Sequence, residues 1–174
     1  MKRLMILLLS MMALTGVARA QSGGDDWFQD DTVTITGSSQ RVGSMTLVDL
    51  WGSDGSSLWG TAQSLGSLTL YNFSTDDGRV LTGTAQRLGS LTLYDFSSSD
   101  GNTLFGSSWR SGAFTYYDLS GRDGNALFGS SRRSGAFTYY DLSGRDGRSL
   151  TGTAQRVGFM TLYNLLYRRP RRDR

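Results

Sequence analysis

The chain has 174 residues, with 18 Lys+Arg against 15 Asp+Glu and with neither histidine nor cysteine. Those absences exclude Ser/His and Cys/His nucleophile pairs, histidine and thiolate metal sites, disulfides and a lipoprotein-type acylation site. Strand pairing and packing are left to hold the fold.

Residues 1–20 combine a basic start at Lys2 and Arg3, an apolar run from Leu4 to Val17 and the small-x-small triplet Ala18-Arg19-Ala20. This reads as a cleavable signal peptide with cleavage after Ala20, which implies a periplasmic or secreted protein. No second apolar stretch approaches membrane length, so no membrane span is expected after cleavage. Without Lys2, Arg3 and Arg19 the chain holds 15 arginines against 15 aspartates. Neutral charge together with export argues against a nucleic-acid partner. Segment 21–31 is acidic, with Asp25, Asp26, Asp30 and Asp31, and segment 167–174 is basic, with Arg168, Arg169, Arg171, Arg172 and Arg174 against Asp173. Such polarity suits self-association head to tail, binding of the tail to anionic surfaces, or simply two solvated ends.

Between these segments, residues 32–166 form a repeat domain. One 23-residue phrase restarts at Gly37, Gly60, Gly83, Gly106, Gly129 and Gly152 without insertions. In the third copy, Leu81 to Leu88 alternate in a period-2 pattern, Gly89 allows a turn, and Leu91 to Phe96 form a second strand rich in residues that favour pleated surfaces. The copy ends at Asp100-Gly101, a turn pair that recurs at Asp54-Gly55, Asp77-Gly78, Asp123-Gly124 and Asp146-Gly147. Glycines interrupt every window long enough for a helix, and glutamate is absent. The expected fold is therefore all-β: tandem hairpins, about twelve strands with one from Thr32 to Thr36, forming an elongated antiparallel meander. The second strand is apolar on both faces, so a β-solenoid or a curled sheet stands as the alternative.

Stacking of repeats aligns like with like. Met45, Leu68, Leu91, Phe114, Phe137 and Met160, beside Leu47, Leu70, Leu93, Tyr116, Tyr139 and Leu162, form the expected large apolar face, with small residues such as Gly83 and Ala85 opposite. The last copy has Arg169-Pro170 at the turn position, a combination expected to block further strand pairing.

The string from Gly83 to Phe96, Gly-Thr-Ala-Gln-Arg-Leu-Gly-Ser-Leu-Thr-Leu-Tyr-Asp-Phe, resembles short tandem repeats of uncharacterised exported bacterial proteins, a resemblance that spans Gly37 to about Tyr163 and implies no activity. Thr115-Tyr116-Tyr117-Asp118 followed by Gly124, Leu127 and Gly129 is similar to the MORN repeat. The Tyr-Tyr-Asp-x-x-Gly-Arg stretches at Tyr116 to Arg122 and Tyr139 to Arg145 resemble the tyrosine-aspartate repeats of large secreted shells. Both imply stacked hairpins.

Two functional classes follow. Carboxylates flank the turns in pairs, Asp95 with Asp100, Asp118 with Asp123, and Asp141 with Asp146, but they recur with the repeat, whereas a catalytic pair is unique in its surroundings. No enzyme, cofactor or catalytic residue is expected, and no metal site is assigned. A column of Asp100, Asp123 and Asp146 matches no calcium-loop spacing and is read as turn chemistry. The first class is a structural or interaction scaffold of the cell envelope or surface. The second is a binding module for envelope polysaccharide or a protein partner. Its candidate ligand-binding residues are Tyr71, Tyr94, Tyr117, Tyr140 and Tyr163, with Arg87, Arg110, Arg133 and Arg156; Arg41 starts the arginine column and Ser64 interrupts it. An exposed tyrosine column favours binding and a buried one favours the scaffold. The arginines would otherwise pair with Asp49, Asp95, Asp118 and Asp141.

Overall fold

The structure, a computed structural model, describes residues 32–122, 126–145 and 147–168. Residues 1–20, read above as a signal peptide, the acidic segment 21–31, residues 169–174 and the turn residues Asp123, Gly124 and Asp146 lie outside them. Twelve antiparallel strands follow one another: β1 Thr32–Val42, β2 Met45–Gly52, β3 Ser57–Leu65, β4 Leu68–Thr75, β5 Val80–Leu88, β6 Leu91–Ser98, β7 Thr103–Ser111, β8 Phe114–Gly121, β9 Ala126–Ser134, β10 Phe137–Gly144, β11 Ser149–Val157 and β12 Met160–Arg168.

Each repeat phrase folds as expected into strand, tight turn, strand. The tight turns are two residues long, with Gly43, Gly66, Gly89, Gly112, Gly135 and Gly158 first, at φ between +56° and +62°. Glycine at the first central position with an ordinary residue second is the II′ pattern, whose twist matches that of the strands it joins. At the opposite end, the Oδ1 atoms of Asp54, Asp77 and Asp100 accept the backbone N–H two residues on, from Ser56, Arg79 and Asn102, at 3.2, 3.3 and 3.2 Å. Arg79 Nε donates to Asp77 Oδ2 at 2.8 Å, and its Nη1 lies 3.4 Å from Asp100 Oδ2. The hydrogen bond from Arg79 holds the Asp77 carboxyl at about 2, below its ordinary value.

The elongated meander is corrected. Neighbouring strands pair in sequence order, and β1 then pairs with β12, from Thr32 opposite Arg168 to Gln40 opposite Met160. The sheet is a closed barrel, the curled alternative carried to completion. Twist accumulates from strand to strand, and in a sheet this wide closure satisfies both edges at once. β12 thus runs through Tyr167 and Arg168 and is capped by β1.

The inner wall is built in rings, and it is not the face expected to be the core. Met45, Leu47, Leu70, Leu93, Phe114, Tyr116, Phe137, Tyr139, Met160 and Leu162 are exposed on the outer wall. Inside lie Val48 with Tyr71, Tyr94, Tyr117, Tyr140 and Tyr163, then Leu50, Phe73, Phe96, Leu119, Leu142 and Leu165, all buried. A further ring of Ile35, Leu58, Leu81, Leu104, Leu127 and Leu150 closes the end that carries the Asp-Gly turns. Register explains the choice of face. Tyr94 stands opposite Ala85 on one side and Gly106 on the other, and Phe96 stands opposite Gly83 and Leu104. Small residues on alternate strands make room for large rings between them. A Cβ on Gly83 would fall 2.6 Å from Phe96 Cγ. Each buried Leu or Phe contributes about 2 kcal/mol of apolar burial, so the rings together can hold a barrel that one hairpin could not sustain.

Candidate functional site

The two ends of the barrel differ. At the Asp-Gly end the bore is filled by the leucine ring, while at the tight-turn end it opens. Along the inner wall from the tyrosine ring towards that opening come Thr46, Thr69, Thr92, Thr115, Thr138 and Thr161, and each of five of these faces an arginine across its hairpin: Arg41 with Thr46, Arg87 with Thr92, Arg110 with Thr115, Arg133 with Thr138 and Arg156 with Thr161. In the remaining hairpin Ser64 faces Thr69. Strand alternation sets this order. Arg87 lies two positions beyond Ala85 and Thr92 two positions before Tyr94, so the inner face carries tyrosine at one level and the cross-strand pair of threonine and arginine at the next level towards the opening.

A cavity of about 340 Å³ occupies the opening, with Arg87, Arg110 and Arg133 at its rim, Thr69, Thr92, Thr115 and Thr138 on its wall and Tyr71, Tyr94 and Tyr117 below. The guanidinium groups are held in one repeated way. Nε of Arg41, Arg87, Arg110, Arg133 and Arg156 donates to the carbonyl of the turn glycine two residues on, at 2.8, 3.2, 3.2, 3.4 and 3.2 Å. This fixes the stem of each side chain and leaves the two Nη groups for something else. Among the described residues no carboxylate reaches them. Asp49, Asp95, Asp118 and Asp141 are exposed on the opposite face of the wall, so the expected pairing with these arginines does not occur.

The tyrosines are a different matter. All five are buried, which by the criterion above favours the scaffold reading for that column. Their hydroxyls serve the wall: Tyr94 with Ser108 Oγ at 3.0 Å, Tyr117 with Ser131 Oγ at 3.2 Å and Tyr163 with Ser39 Oγ at 2.9 Å. The structure therefore separates the nine candidate residues into an exposed basic rim and a buried aromatic floor. Sequence reasoning reads the threonine column, Thr46 to Thr161, as an aid to ordered stacking and names none of it as part of the site; the structure places four of these threonines on the cavity wall. Thr138 is 2% exposed, lines the cavity and has no hydrogen-bond partner for its Oγ1. A buried hydroxyl without a partner costs stability, and a ligand atom in the cavity would relieve that cost. The signal was present, because a period-2 strand that places tyrosine inside places the threonine two residues earlier inside as well.

Comparison of the chain with protein-family models and with curated proteins finds no match. The chemistry of the mouth is accordingly read from its own residues. Guanidinium groups anchored through Nε retain the geometry that grips phosphate, sulfate or carboxylate oxygens, and the threonine hydroxyls beneath can either donate or accept. Among the described residues no group of three or more acidic side chains stands where a metal ion could be held.

Burial pushes the Tyr140 phenol well above its ordinary value of 10.0, and burial likewise raises Tyr163. A folded-state pKa above the unfolded one adds stability that is complete below pH 10.0 and is lost as pH rises past it. The expected result is a barrel that weakens in alkali. Urea midpoints measured at about pH 8 and about pH 11 should differ, and Tyr140→Phe should shrink that difference. Equal midpoints would show that the floor tyrosines titrate as if exposed.

Proposed function

We propose that the protein is a non-catalytic binding module of the cell envelope or its exterior that holds an anionic ligand in the arginine-rimmed mouth of its barrel. The observation that carries this reading is the set of five guanidinium groups at one end of the barrel, each tethered through Nε and, among the described residues, unmatched by any carboxylate, three of which, Arg87, Arg110 and Arg133, line a cavity with a hydroxyl wall. Five cations on one rim repel one another, a cost offset when an anion sits among them. Closure weakens the scaffold reading in its simplest form, since growth by strand addition needs an edge and β1 and β12 occupy each other's. The burial of the tyrosine column weakens a stacking platform for neutral sugars and shifts ligand choice to charge.

Calorimetric titration with inositol hexakisphosphate, a compact multivalent anion, tests the reading. The parent protein should bind it with an affinity that falls steeply with added salt. A variant carrying R87Q, R110Q and R133Q, confirmed by circular dichroism to be folded, should lose about a hundredfold in affinity. No heat from the parent, or equal binding by the variant, would remove the basis for this function.

A further inference from the structure

The mouth is one part of a larger asymmetry. The residues of the six tight turns and the levels next to them, 40–45, 63–68, 86–91, 109–114, 132–137 and 155–160, contain six arginines, the five of the rim and Arg132, and no acidic residue. The same end is crowned by exposed apolar side chains. Val42, Leu65, Leu88 and Val157 stand beside the turns, each 50–57% exposed, and Phe159, within a turn, is 79% exposed. In the two hairpins whose corresponding position is serine, Ser111 and Ser134, exposed aromatic side chains take over just below: Trp109, Phe114 and Tyr116, with stacked rings, and Phe137 with Tyr139, the latter ring lying under Arg132.

We infer that this end of the barrel docks onto a bilayer rich in anionic phospholipid, with the apolar crown dipping among the acyl chains and the arginine rim taking headgroup phosphates. The inference rests on the anion-binding reading of the mouth and names its source. A crown of leucine, valine and phenylalanine around cations matches the layering of a membrane interface, where apolar groups sit just beneath a plane of phosphates and aromatic rings sit at headgroup level. A second copy of the chain fits poorly, because mouth-to-mouth contact would bring two arginine rims together. The wall also limits the depth. From the turns to the level of Leu47, Leu70, Leu93 and Leu162 is roughly 10 Å of strand rise, comparable with the ~5–10 Å to which interfacial elements sink. The next outward level carries Asp49, Asp95, Asp118 and Asp141, with Asn72 and Asn164, a ring that deeper immersion would force into hydrocarbon.

Co-sedimentation with phosphatidylcholine vesicles and with vesicles containing phosphatidylglycerol, run beside hexakisphosphate titration, tests the inference. The parent should pellet with the anionic vesicles and stay largely in solution with the neutral ones. A crown variant, L65S with L88S and F159S, alters exposed positions at strand ends and should fold. It should lose about tenfold or more of its vesicle affinity while binding hexakisphosphate as the parent does. The R87Q, R110Q and R133Q variant should lose both. Parent protein that binds hexakisphosphate but ignores vesicles, or a crown variant that pellets like the parent, would overturn membrane docking and leave the anion site standing. Failure to bind either would remove both.

Discussion

Gly106→Val should prevent the barrel from forming, giving a chain with no cooperative melt by circular dichroism. Gly106 lies in the middle of β7 at φ +152°, and an added Cβ would press on the backbone carbonyl of Asp118 and fall 2.8 Å from Leu119 Cα on β8. These are backbone atoms in a hydrogen-bonded ladder and cannot swing aside as a side-chain end can. Strain at such a backbone position and overpacking each cost about 1–3 kcal/mol. A β-branched residue adds two methyl groups where Tyr94 and Leu119, both buried, already claim the space. At the upper end of these ranges the sum reaches about 6 kcal/mol, enough to unfold a domain at the lower end of the ~5–15 kcal/mol usual for folded proteins. Gly106→Ala should give a graded version, a folded protein with a lower melting temperature. A valine variant melting within a few degrees of the parent would mean that the strands can separate there without loss.

A chain ending at Gly158, which lacks β12, should behave equally badly, and for a different reason. The pairing of β1 with β12 and of β11 with β12 covers nine residues in each ladder. Removing that strand opens the barrel, exposes the inner faces of Ile35 and Leu150, and leaves two long unpaired edges. Tyr163 and Leu165 also leave the core, at about 2 kcal/mol or more apiece. The expected outcome is aggregation, with thioflavin binding and loss of a single melting transition. If the shortened chain were monomeric and melted cooperatively, closure would be incidental and the barrel no more than a rolled meander.

How far sequence reasoning reached depends on what each signal encodes. The hairpins were legible because Gly89 and Asp100-Gly101 state their turn chemistry locally and the strands between them alternate cleanly. The face that turns inward was misjudged, since Leu91 and Leu93 are as apolar as Tyr94 and Phe96. Discrimination lies in cross-strand register, where Gly83, Ala85 and Gly106 sit beside the rings and make them the inner set. Closure was illegible for another reason. The pairing of Thr32 with Arg168 depends on twist summed over eleven intervening steps, a quantity no single repeat contains. Among the candidate site residues, the arginine rim could be foreseen as a column, and the threonine wall could have been deduced from the same alternation. That Asp95 and Arg87 stand on opposite faces follows only once inside and outside are assigned.

The rim has one more property, which concerns counting more than contact. On the anion-binding reading proposed above, five guanidinium groups held by the same Nε bond to a turn glycine would offer a compact anion several similar poses, interrupted only at Ser64. Degeneracy of that order adds roughly 1 kcal/mol of mixing entropy to the bound state, as RT times the logarithm of the number of poses. A guest held in this way has no fixed orientation and can turn from one donor pair to the next without leaving. On that reading the mouth would behave as a rotating bearing for charge. It would tolerate the loss of any single arginine, and it would sense how many charges its guest carries more sharply than their arrangement.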